Sequence, residues 1–286
     1  MKFLNCTIPK VVLLCIFMFH SIQSDAQGIK AASQDRYKQF ASSVTYVVSY
    51  DNPFSDFNSY IKKAMEKNWT MTPFEMISWE DFETKKSDSK ASFIFISEAM
   101  AGNNKNLVFN ILNFVMGDKS SGLDKMPDLG SVPLSYVSED EDFEEDKYLY
   151  KLDVFLRFMQ YYAKTNIDKP NTDVTALVAS NQSMIQSKEI WMLADELNED
   201  VNTVGKIAGY YTGKVRIVTV EEITNAIADK NQDVLILHIV SPVESNSGKC
   251  MKFIISVAEG APYYYSITDV SAKKPGLFLS EDFKKL

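Results

Sequence analysis

Ile77-Ser78-Trp79-Glu80-Asp81-Phe82, followed by a polar stretch and then Phe93-Ile94-Phe95-Ile96, has a counterpart later in the chain. The counterpart is Val218-Thr219-Val220-Glu221-Glu222-Ile223, again followed by a polar stretch and then Val234-Leu235-Ile236-Leu237. The spacing is the same in both copies. Over 20 aligned positions only Glu80/Glu221 and Asp88/Asp229 are identical, yet the pattern of residue classes matches much better. Each copy places a serine or threonine three residues ahead of an acid. That is the form of a capping box, in which the hydroxyl and the acid satisfy helix-end N–H groups reciprocally. Acids in the first turn also suit the positive end of the helix dipole. A short helix therefore follows in each copy, and the apolar run behind it reads as a buried strand.

Working outward, the pattern extends on both sides. Val44–Tyr50, rich in β-branched and aromatic residues, reads as the first strand. Asn52 then reads as an N-cap and Pro53 as the first helical residue. Phe54, Phe57, Ile61, Ala64 and Met65 lie on one face of that helix. Trp69–Ile77 returns as a strand. In the second copy, Glu189–Ala194 is the matching first strand. Asp195–Asp200 leads into a helix with Val201, Val204, Ile207, Ala208 and Tyr211 on one face, and Val215–Val218 is the strand that follows. A fourth strand comes next in each copy, at Asn106–Met116 and Cys250–Ala258, after loops of hairpin composition at Ala101–Lys105 and Glu244–Gly248. Tyr263–Ile267 reads as one more strand, with its tyrosines in structural use. The tail Pro275–Leu286 carries Leu277, Phe278 and Leu279 for docking. The expected fold is α/β, with α+β as the alternative: two related β-α-β-α-β-β halves with mixed sheets. Their spans are 27–125 and 186–286.

Residues 126–185 join the halves. Met126–Val137 contains Pro127, Gly130 and Pro133 and reads as a loop. Glu139–Asp142 and Glu144–Asp146 form an acidic run without the glycine and alternation of an EF-hand loop. It reads as a solvated loop ahead of a helix, whose start acid favours. That helix, from about Lys147 to Ala163, carries an apolar stripe of Leu149, Leu152, Phe155, Leu156, Met159 and Tyr162. It is expected to pack on the first half or between the halves.

The N-terminus sets the compartment. Lys2 and Lys10 precede the apolar run Val11–Phe19, which is too short to span a bilayer, and Ser24-Asp25-Ala26 supplies small residues at the −3 and −1 positions. Residues 1–26 read as a secretory signal cleaved after Ala26, so the mature protein is expected to be exported, periplasmic or secreted, without a stable membrane span. Cleavage removes Cys6, Cys15 and His20 and leaves one cysteine, Cys250, and one histidine, His238. An internal disulfide and a His- or Cys-rich zinc site are then excluded. Both remaining residues sit in strand-like apolar runs and read as structural. The formal net charge of −8 disfavours nucleic acid and anionic membrane as partners.

Strand–helix–strand units commonly bind phosphate where the first strand meets its helix. Here those loops are Tyr50-Asp51-Asn52-Pro53 and Ala194-Asp195-Glu196-Leu197, which lack glycine and carry carboxylates. Nucleotide binding is disfavoured, and Asp51, Asn52, Asp195 and Glu196 become candidate binding residues for a cation or basic ligand. The sequence nominates no catalytic residue, cofactor or metal site. The expectation is a non-enzymatic binding or assembly module with an envelope protein or a glycan as partner. The alternative is a glycoside-type hydrolase using a carboxylate pair drawn from Asp51, Asp195, Glu80 and Glu221.

Overall fold

The computed structural model describes residues 32–52, 55–100, 108–119, 122–137, 145–242 and 246–286. The signal segment, the Pro53 helix start, the loop at 101–105 and most of the acidic run lie outside the described residues.

The chain forms two five-stranded mixed sheets. The first contains β1 (Val44–Val48), β2 (Phe74–Ile77), β3 (Ala91–Met100), β4 (Val108–Met116) and β5 (Val132–Tyr136), in the order β2-β1-β3-β4-β5. The second contains β6 (Glu189–Met192), β7 (Lys214–Ile217), β8 (Val234–Val240), β9 (Lys249–Ser256) and β10 (Pro262–Asp269), in the order β7-β6-β8-β9-β10. The two orders are the same when the strands are matched in sequence. The directions match as well: β1 and β6 are each flanked by two parallel partners, and the last two pairings of each sheet are antiparallel. The two-half α/β expectation therefore holds at the level of topology.

The helices repeat too. A helix precedes each first strand: α1 (Gln34–Phe40) before β1, and α5 (Val174–Asn181) before β6. Within the first half, α2 (Phe57–Asn68) follows β1 and α3 (Trp79–Lys85) follows β2. Within the second, α6 (Val204–Ile207) follows β6 and α7 (Val220–Ala228) follows β7. Both capping boxes form. Ser78 Oγ accepts from the Asp81 amide at 3.1 Å, and Thr219 Oγ1 accepts from the Glu222 amide at 3.2 Å. The acids reach back to the amides of Ser78 and Thr219.

Phe57, Ile61 and Met65 of α2 pack on one face of the first sheet, and Phe82 of α3 packs on the other. Ile207 of α6 and Ile223 of α7 divide the faces of the second sheet in the same way. Successive crossovers therefore leave to opposite faces, which opens a crevice at the C-terminal ends of the two middle strands.

Three local readings change. Residues 126–137 are not all loop, because β5 pairs with β4 as the outer strand of its sheet. Pro133 is tolerated there because an edge strand needs no second row of donors. The helix after β1 starts at Phe57, after the non-helical Ser55 and Asp56. Its N-cap position is Asp56, and Glu145 accepts from the Asp56 amide at 3.1 Å and from Ser55 Oγ. The helix expected over 201–211 shrinks to the single turn of α6, capped by Thr203. Gly205 and Gly209 lower helix propensity there. Val201, Ile207 and Tyr211 are buried all the same, while Val204 is exposed.

The connecting helix α4 (Leu152–Asp168) is entered through a short 3-10 turn at Leu149–Lys151 and packs against α1, α2 and β9, between the halves. Arg157 is its strut. Its guanidinium donates to Asn68 Oδ1 of the first half at 2.8 and 3.0 Å, and to the carbonyls of Ile227 and Val257 in the second. The turn after β9 passes so close that a β-carbon on Gly260 would lie 2.1 Å from the Phe158 amide nitrogen, and Gly260 has a φ of +73°. Only glycine fits both demands.

Each half closes in the same manner: the segment after its last strand returns to the loop after its first. In the first half Glu145 docks on Ser55 and Asp56. In the second, Phe278 docks on Glu196 and Asn198.

Candidate functional site

A cleft of about 760 Å³ opens at the C-terminal ends of β6 and β8. Its lining includes Ser135 and Tyr136 of β5; the connector residues Asp146, Lys147, Tyr150 and Lys151; Leu193, Asp195 and Glu196 after β6; Ile239–Pro242 at the end of β8; Val220 and Asn246; and Ser271, Ala272 and Pro275–Leu277 near the C-terminus. This is the switch point of the second sheet, where open α/β sheets hold their ligands. The first half, the connector and the C-terminal segment complete its walls.

Both lysines of the cleft are paired with acids, and Asp146 is a third acid in its lining. Lys151, buried, donates to Glu196 Oε1 at 3.2 Å and to the Leu237 carbonyl at 3.2 Å. Burial lowers the Lys151 ammonium, but Glu196 and Tyr150 outweigh it and the net direction is upward, so the lysine stays charged. Glu196 Oε2 accepts from the Leu193 amide at 3.1 Å. Burial raises the Glu196 carboxyl, against the opposing pull of Lys151. At the rim, Lys147 meets Asp195 at 3.3 Å, and both side chains are well exposed.

Of the four candidate binding residues, Asp195 and Glu196 line this cleft; Asp51 and Asn52 are not among its lining residues. Asp51 is exposed on the bend after β1, and the Asn52 carbonyl accepts from the Ser55 amide at 3.3 Å. The bend is held by Asn58, which accepts from the Tyr50 amide at 2.7 Å and donates to the Tyr50 carbonyl at 2.8 Å. Glu80 and Glu221 stand in the exposed first turns of α3 and α7 and do not line the cleft.

Lys147, Tyr150 and Lys151 were not singled out in the sequence as site residues. The available signal was a lysine set between Tyr150 and Leu152, at the head of a helix stripe that otherwise reads as core. His238 and Cys250 take no part in the cleft. His238 is buried; its Nε2 lies 2.9 Å from the Pro133 carbonyl, and burial lowers its pKa to about 3. Burial pushes the Cys250 thiol up to about 11. Both serve structure, as does the tyrosine run: Tyr263 and Tyr264 are buried, and Tyr264 Oη donates to Asp282 Oδ1 at 2.6 Å.

Among the described residues no group of three or more His, Cys, Asp or Glu side chains could hold a metal ion, and no helix is long and apolar enough to cross a membrane. No family model, curated protein or solved structure matches the chain.

Proposed function

We propose that the protein is an exported binding module whose cleft takes a segment of glycan. The observation that carries this reading is a concave cleft at a sheet switch point whose lysines are already matched to its acids. An anionic ligand would have to displace Asp195 from Lys147 or Glu196 from Lys151. A neutral polyhydroxyl ligand instead hydrogen-bonds to both members of a pair and needs no change of charge. Ser135, Asn246 and Ser271 add short polar groups, and Tyr150 with Ile239 and Pro242 supplies the apolar surface against which sugar rings pack. The volume lies in the range of small-ligand clefts rather than that of flat protein interfaces. Export rests on the signal reading of residues 1–26.

The test is a glycan array probed with the purified protein, beside a pull-down from an envelope fraction of the source cells. Binding to a restricted set of neutral glycans, lost in Lys151→Met and Asp195→Ala, supports the proposal. A blank array with a single protein captured in the pull-down replaces it with a protein partner. A second reading is a carboxylate hydrolase acting on such glycans. It draws on two carboxyls in one cleft, Asp195 and Glu196, the second raised by burial. Release of reducing ends from an array-positive glycan, abolished in Glu196→Gln, supports that reading, whereas stable binding without release rejects it.

A further inference from the structure

We propose that residues 275–286 are a clasp that completes the cleft and positions the Glu196 loop, with Asp282 as its latch; the role in binding rests on the glycan-cleft reading above. Pro275, Gly276 and Leu277 form one wall of the cleft. The next residue ties that wall to the opposite one. The Phe278 amide donates to the Glu196 carbonyl at 2.8 Å, and the Asn198 amide donates to the Phe278 carbonyl at 3.0 Å. The clasp and the Glu196 loop thus form a parallel bridge, and Leu197 and Phe278 are both buried beneath it.

The latch lies a few residues further on. Asp282, 2% exposed, accepts from Lys252 Nζ at 2.5 Å, from Tyr264 Oη at 2.6 Å and from the Leu279 amide at 2.9 Å. Lys252 is 1% exposed and stands 5.8 Å from the centre of the Phe278 ring. Two charges taken this far out of water fix one docking register, because any displaced register strands both of them. At the other end of the clasp, a β-carbon on Gly276 would lie 1.5 Å from Ser241 Oγ. Gly276 thus lies against the Ser241 side chain just past β8, and that side chain would have to move to admit a larger residue. Cys250 is buried and within electrostatic reach of Ser241, Lys252 and Asp282, and its thiol serves as the chemical probe of this region.

The experiment uses the Cys6→Ser/Cys15→Ser background, in which Cys250 is the sole thiol, since the chain has three cysteines. Thiol reaction with an aromatic disulfide reagent and amide hydrogen exchange are followed in native buffer, without glycan. Asp282→Asn strands Lys252 as an unpaired buried cation. It is expected to speed thiol reaction and exchange at Asn198 and Phe278 by about 10-fold or more, with β8 amides unchanged. Lys252→Met/Asp282→Asn removes the stranded cation while the new amide oxygen can still accept from Tyr264 Oη or the Leu279 amide, and is expected to stay shut, with rates near those of the parent. Unchanged rates in Asp282→Asn would overturn the latch. Acceleration of β8 in step with Phe278 would overturn the clasp as a separate unit. For any glycan scored positive on the array, Asp282→Asn is expected to weaken binding about 10-fold, and Lys252→Met/Asp282→Asn to restore it. Unchanged affinity in an open clasp would overturn its role in the site. A protein that binds no glycan but shows the exchange pattern would refute the binding reading and leave the latch standing.

Discussion

Lowering the pH should destabilise this protein through one residue, His238. The imidazole is 1% exposed and packed between the rings of Phe155 and Phe253, with centroids 4.8 and 6.3 Å away. Its Nε2 meets the Pro133 carbonyl, and Nδ1 has no hydrogen-bond partner. Burial comes first among the causes that hold it neutral, and the Lys151 ammonium adds to it, so its folded pKa falls to about 3 from an ordinary 6.5. The unfolded chain therefore binds a proton that the folded chain refuses, and stability must fall as pH drops below the unfolded pKa. Linkage places the loss at about 2 kcal/mol by pH 5 and about 3 kcal/mol by pH 4, relative to pH 8. Urea unfolding followed by tryptophan fluorescence at pH 8, 6, 5 and 4 measures it. Other groups titrate over the same range, so the quantity to read is the difference in slope between the parent and His238→Leu. That variant loses the Pro133 bond and is less stable at pH 8, but its stability should fall less steeply from pH 6.5 downward. Parallel pH profiles for the two proteins would refute the reasoning.

Further outcomes follow from the packing. Arg157→Met takes the guanidinium donor from Asn68 Oδ1 and the Val257 carbonyl and one of two donors from the Ile227 carbonyl, and should cost about 3 kcal/mol or more in urea unfolding. Ser78→Ala and Thr219→Ala should each cost about 1 kcal/mol, and the double variant should show the sum, because the caps sit in different halves. Gly260→Ala, at positive φ and against the Phe158 backbone, should cost about 2 kcal/mol or more in melting experiments. Gly205→Ala, with nothing within 4 Å of its added carbon, should stabilise α6 by up to about 1 kcal/mol.

Short-range devices were the part of this fold that the sequence exposed most clearly. Ser78/Asp81 and Thr219/Glu222 could be read because a capping box is complete within four residues, and the apolar strands behind them because burial on both faces leaves a continuous run. Strand β5 was hidden for a physical reason. Its proline and the glycine before it are loop residues in most settings, and only the edge position, a tertiary fact, lets Pro133 stay in a strand. The helix over 201–211 misled in the opposite sense: Val201, Ile207 and Tyr211 are core residues, but the chain reaches the core by turns rather than by a helix.

The candidate site divides along the same line. Asp195 and Glu196 were legible as acids in the loop after the first strand of a half. Their partners Lys147 and Lys151 come from 45 or more residues away, through the packing of the connector between the halves. Asp51 and Asn52 hold the matching sequence position, but in their half Glu145 fills the role that the C-terminal clasp has in the other, and that loop is closed on itself by Asn58. Two loops at equivalent places thus have different surroundings, which a reading of the repeat alone could not show.

The claim at the centre of this account is that ligand enters the cleft at the switch point of the second sheet. Hydrogen–deuterium exchange of the purified protein, with and without a glycan that it binds on the array, tests it most directly. The account predicts protection in three separate stretches: 193–198, the end of β8 with Ser241 and Pro242, and 275–278. Protection confined to the surface of the first half, with these three stretches unchanged, would contradict it.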